Sequence, residues 1–203
     1  MAADAADARP RPAASALYYA DAPNRLMALL LDAALLTVAI FLAAAAVSVL
    51  AGPAVELDSG ADTIEEAVTI DRDIATLDAV ISLLIGAVYF AGSWRWLSAT
   101  PGQRLLGLQV GREEEGSPLS ILAAAIRWGL VAGPFSILAL VTTVAPDLNK
   151  TVPDLVVALW YVALLVSVIR SPSKQGIHDH LVRSAVAKRA SPLAWETAGT
   201  DAR

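Results

Sequence analysis

Two ionisable residues stand inside long apolar runs, where charge is costly. Asp32 interrupts the run 26–51, and Arg127 lies within 119–145. A charged side chain at the centre of a spanning helix costs about 2.5–3.5 kcal/mol on insertion scales, so such residues usually face a protein interior and pair. Three chemistries compete here. The two can be boundary anchors, because residues 33–51 and 128–145 are long enough to span without them. They can form a structural ion pair, since each lies six to eight residues inside the start of its run, roughly 9–12 Å at helical rise. Or they can line a path for ions or solute, with Asp32 exchanging protons. Arg25, two helical turns before Asp32, suits the headgroup boundary, where its long stem lets the guanidinium reach phosphates.

A second cluster, His178-Asp179-His180, invites metal or acid–base readings. Two histidines at i and i+2 do not share a helical face. The sequence has no cysteine and no further histidine to complete a site, and no nucleophile stands at a recognisable spacing. The expectation is therefore no metal, no cofactor and no enzyme. Asp179 is expected instead to pair with Arg104 or another arginine on its side, locking the tail to a loop.

The elements that must hold these groups are apolar blocks. The hydrophobic fraction is 56% and the charged fraction 17%, against roughly 45–50% and 25% in soluble proteins. The blocks reach the ~18–20 residues that cross a hydrocarbon layer, at about 26–51, 79–97, 119–145 and 152–169. The first is too long for a signal-peptide core of ~7–15 residues. Gly52-Pro53 stops it, and Pro153 opens the fourth at a first-turn position. Pro134 is expected to kink the third. Trp94-Arg95-Trp96 closes the second as an interfacial belt would. Residues 1–20 read as a disordered cytoplasmic tail and 188–203 as a polar one. The outer loop 52–76 is acidic, and Asp62-Thr63-Ile64-Glu65 reads as a capping box opening an amphipathic helix within 56–73.

With four spans and an inner N-terminus, thirteen of the fifteen Lys and Arg residues fall inside, and only Arg72 and Lys150 fall outside. The fold class is all-α, a membrane-spanning bundle of four helices over residues 21–187 with cytoplasmic N- and C-termini. The lipid bilayer is its partner. A net charge of −5 argues against nucleic acid. Gly129 and Gly133 make a small-xxx-small spacing that lets helices approach, within the bundle or between copies in a homo-oligomer. Thr100-Pro101-Gly102 forms a turn, after which Arg104 faces headgroups or an acid; Leu105 to Val110 offers apolar surface as a short strand or interfacial segment.

In order along the chain, Arg25 to Asp32, the segment Thr-Pro-Gly-Gln-Arg-Leu-Leu-Gly from Thr100 to Gly107, Arg127, and Gln175-Gly-Ile-His-Asp179 resemble the RDD family of bacterial membrane proteins. The family is named for one arginine and two aspartates; Arg25 and Asp32 match the first two and Asp179 the third. The match runs from about residue 24 to 186. Family members often carry Lys where Gln103 stands. The resemblance implies a multi-pass protein of the bacterial cytoplasmic membrane whose molecular role is broadly unassigned, with transport suggested for some members. Two functions are carried forward: a membrane scaffold or accessory module, and a small transporter or cation–proton exchanger using Asp32 paired with Arg127. The identity of any small-molecule or ion ligand is left open.

Overall fold

The computed structural model describes residues 17–60, 63, 67–113 and 116–189. Short strand β1 (Leu17–Tyr19) leads into α1 (Ala22–Ala51). Asp21 caps α1 by accepting from the Asn24 N–H at 3.2 Å, Pro23 sits in its first turn, and Gly52 ends it. Thirty residues give about 45 Å of helix, more than the ~30 Å hydrocarbon core requires.

A hairpin follows, β2 (Val55–Leu57) against β3 (Val68–Ile70). The helix expected within 56–73 is corrected only where Val55–Leu57 and Val68–Ile70 form strands, whose β-branched residues pair across the turn. Between them Ala67 is helical, and its N–H donates to the Thr63 carbonyl at 3.0 Å. Three of the four residues of the expected capping box lie outside the described ones. Helix α2 (Arg72–Ala87) begins only after Asp71, whose carboxylate accepts from the N–H groups of Asp73 and Ile74 at 3.0 and 3.1 Å. It continues as a π-helical segment (Val88–Leu97).

Helix α3 (Pro101–Leu105) and strand β4 (Leu108–Arg112) follow, joined by Gly107 at φ 68°. Helices α4 (Ile121–Val131) and α5 (Gly133–Val144) meet at 64°. The Pro134 ring cannot donate to the Leu130 carbonyl four residues back. The Trp160 indole N–H from the next helix takes that oxygen at 2.8 Å, so the bend is satisfied from outside. Helix α6 (Thr151–Arg170), α7 (Ile177–Leu181) and β5 (Ser184–Arg189) complete the described chain.

The all-α expectation is corrected in part: the protein is mainly helical, but β1, β5 and β4 form an antiparallel sheet in that order. Leu108 and Val110 are buried and Gln109 is exposed, the period-2 alternation of a one-sided sheet. Leu17–Tyr19, read with the N-terminal tail, and Lys188–Arg189, read with the C-terminal one, both belong to this sheet. Ala20 of the first tail is buried beside β5, and residues 1–16 and 190–203 lie outside the described ones.

The core lies beside the sheet, where Phe90, Trp94, Leu108, Val110, Leu119 and Val186 pack together. Away from it the helices turn large apolar side chains outward: Phe41 is 70% exposed and Val49 85%. Such continuous apolar surface needs a non-aqueous surrounding. Among the described residues three helical stretches are long and apolar enough to cross a membrane, and the bent α4–α5 pair makes a fourth if it is one span.

Candidate functional site: two buried carboxylates at the sheet-bearing end

Asp32 is 2% exposed and enclosed by protein groups. Its Oδ1 accepts from the Tyr89 hydroxyl at 2.6 Å and the Gly102 N–H at 2.7 Å, and its Oδ2 accepts from the Thr100 hydroxyl at 2.5 Å. Thr100 caps α3, and Gln103 returns a bond to the Thr100 N–H at 2.9 Å while also accepting from the Trp94 indole at 3.1 Å. The turn around Thr100 thus folds back onto α1. Glycine at 102 is what permits it: a Cβ there would stand 2.4 Å from the Ala28 carbonyl oxygen and 2.7 Å from Asp32 Oδ1.

The Asp32–Arg127 pair expected from matched depth does not form. Neutral donors from α3 and the π-helical segment occupy both Asp32 oxygens, and Arg127 turns to Asp179 instead. Asp179 is fully buried on α7. Its Oδ1 meets Arg127 Nη2 at 2.8 Å and accepts from the Ser184 hydroxyl at 3.1 Å; its Oδ2 meets Arg25 Nη1 at 2.6 Å and accepts from the Gly176 N–H at 3.2 Å. Arg127 also donates to Ser184 Oγ at 2.9 Å and stacks 4.7 Å from the Trp94 ring centroid, a favourable cation–π distance. Arg25 is drawn inward rather than to headgroups, its Nε donating to the Ala20 carbonyl at 3.0 Å.

Burial by itself raises the Asp179 pKa, but Arg127 foremost, then His178 and Arg25, outweigh it and hold the carboxyl at about 2. His178 Nε2 lies 3.5 Å from Asp179 Oδ1. Burial pushes this imidazole down to about 4 against the attraction of Asp179, so it is neutral at neutral pH. His180 is exposed, on the far side of the same short helix.

The arginine that locks Asp179 to a loop was expected to be Arg104 or another; it is Arg25 and Arg127. Arg104 is exposed and donates to the Leu97 carbonyl at 2.9 Å. Trp94 is buried, and only Trp96, 70% exposed, fits an interfacial belt. Around Gly129 a Cβ would meet nothing within 4 Å, so this glycine serves no close helix approach within the chain. Tyr89 and Ser184 were not singled out from the sequence, and Gln175 entered only as part of the motif ending at Asp179. For Tyr89 the signal available was a hydroxyl in an apolar helix, which when buried must find a partner. Gln175 is buried and donates to the Ser184 carbonyl at 3.1 Å, fixing β5 beside α7.

Asp179, distant in sequence, therefore joins Arg25 and Asp32 of α1 at one end of the bundle. A family model described as the RDD family matches residues 19–183. The chain belongs to the RDD family. No curated protein matches it. In this RDD chain two of the three residues matched by resemblance to the family's name, Arg25 and Asp179, bond each other directly. The third, Asp32, lines the same cavity as Arg25, Arg127 and His178. The family match and the outward apolar helices fit a membrane protein.

Proposed function

We propose that this RDD protein is a scaffold or accessory module of a bacterial cytoplasmic membrane, without catalytic turnover. It crosses the bilayer four times and keeps both termini on the cytoplasmic side. The observation that carries the reading is the full occupation of both buried carboxylates by fixed donors from separate elements. Charges held this way join α1, α3, α4, α7 and β5. The orientation rests on the basic residues around the sheet-bearing end, where β1 pairs residues 17–19 with 187–189 of β5. Contact between copies through the open side of Gly129 belongs to the same proposal, and Gly129→Leu is expected to abolish crosslinked dimers in membranes.

A second reading, cation–proton exchange, is favoured by one observation: Asp32 lines a cavity. The deciding measurement is pH-linked cation flux in proteoliposomes. The module reading expects wild type and Asp32→Asn to give the same background flux. Flux in wild type that Asp32→Asn abolishes, at unchanged abundance, would overturn it.

A further inference from the structure

A cavity of about 300 Å³ lies between α1 and α6 at the sheet-bearing end, at the small end of the range for ligand pockets. Its two halves differ chemically. Leu26 and Leu29 of α1 face Leu164, Leu165 and Val168 of α6 across the apolar half. Leu26, Leu29 and Leu165 are themselves 40–51% exposed, so the apolar half opens sideways onto the outer surface of the bundle. The polar half is walled by Arg25, Arg127 and His178.

Two guanidinium groups share one counter-ion there. After Asp179 and the other acceptors are counted, Arg25 Nη2 and Arg127 Nε are buried with no hydrogen-bond partner among the described residues. Arg127 is 3% exposed. Leaving such donors unmet costs the desolvation of a charged group without a compensating hydrogen bond. Asp32 is on the same wall, but its oxygens already accept three hydrogen bonds from Tyr89, Thr100 and Gly102. Of the buried unpartnered atoms on the lining residues, the two charged ones are guanidinium donors, while the third, His178 Nδ1, lies against Gly176.

We propose that this crevice binds an anionic amphiphile from the surrounding membrane. Its oxyanion headgroup is held by Arg25 Nη2 and Arg127 Nε, and the first part of its acyl chain lies between α1 and α6. Guanidinium N–H groups and oxyanions form charge-assisted hydrogen bonds of the strong kind, and the lateral opening gives a chain its entry from lipid. The inference does not depend on whether the protein transports anything.

Native mass spectrometry of the full chain in detergent, titrated with phosphatidylglycerol, phosphatidylcholine or inorganic phosphate, tests it. One phosphatidylglycerol should bind at least about tenfold more tightly than phosphatidylcholine. Leu165→Trp, which fills the crevice and leaves the arginines in place, should weaken that binding about tenfold without changing the melting temperature. Arg127→Gln should abolish the headgroup preference; because it can also unfold the cluster, Leu165→Trp is the decisive variant. Equal affinity for the two lipids overturns the proposal, as does wild-type binding by a folded Leu165→Trp. Inorganic phosphate binding as tightly as phosphatidylglycerol would make the source a soluble oxyanion and overturn the acyl-chain assignment.

Discussion

Asp32 and Asp179 are both buried carboxylates at one end of the same bundle, yet they are stabilised in opposite ways. Asp32 gathers neutral donors: a phenol, a threonine hydroxyl and a backbone amide. Asp179 gathers two guanidinium groups. Burying a lone carboxylate is costly, and hydrogen bonds to the charged form offset this as surely as an ion pair does. The difference lies in what each carboxylate leaves behind when removed. Without Asp32 three neutral donors lose a partner, whereas without Asp179 two charges lose theirs.

The largest effect is therefore expected from Asp179→Asn. Stranding Arg25 and Arg127 should cost about 3–5 kcal/mol, read as a fall in thermal unfolding temperature in detergent, with partial recovery in Asp179→Asn/Arg127→Met. Equal losses for Asp179→Asn and Asp32→Asn would break the comparison.

Acidification should separate the two sites next. The folded His178 imidazole takes up a proton only near pH 4, while the unfolded one does so near 6.5. The unfolded state thus binds more protons throughout that window, and stability falls as pH drops from about 6.5 to 4, by up to about 3 kcal/mol. The Asp179 contribution is retained above the unfolded carboxyl pKa and is lost only as pH falls towards about 2. His178→Gln should flatten the 6.5-to-4 slope, and a slope that survives it would place the sensor elsewhere.

Asp32→Asn should cost less, about 2 kcal/mol, because an amide oxygen still accepts some of the three hydrogen bonds. Gly102→Ala sharpens the same point from the donor side. Its Cβ meets the Ala28 carbonyl, so α3 must retreat from Asp32, at about 1–3 kcal/mol. The two changes should be non-additive when combined.

Much of the helical frame was legible because its signals are local. Gly52, Pro134 and Pro153 mark a stop, a bend and a start through their own backbone chemistry. The depth-matching of Asp32 with Arg127 failed because partner choice depended on α3, five residues whose fold-back onto α1 no periodicity announces. Of the sheet, only β4 was foreseen, as the strand alternative for 105–110; its partners were hidden because strands of three to six residues pair across long stretches of chain. The signature residues could be named from the family pattern. That Arg25 and Asp179 bond each other could not.

The Arg25–Asp179 bond joins positions 154 residues apart, and β1 likewise has only β5 as its neighbour in the sheet. During synthesis Arg25 is therefore inserted long before its counter-ion leaves the ribosome. Closing so long a loop delays the contact that rewards it, so a nascent chain halted before Asp179 would hold both arginines unanswered and present itself to membrane quality control as unfinished.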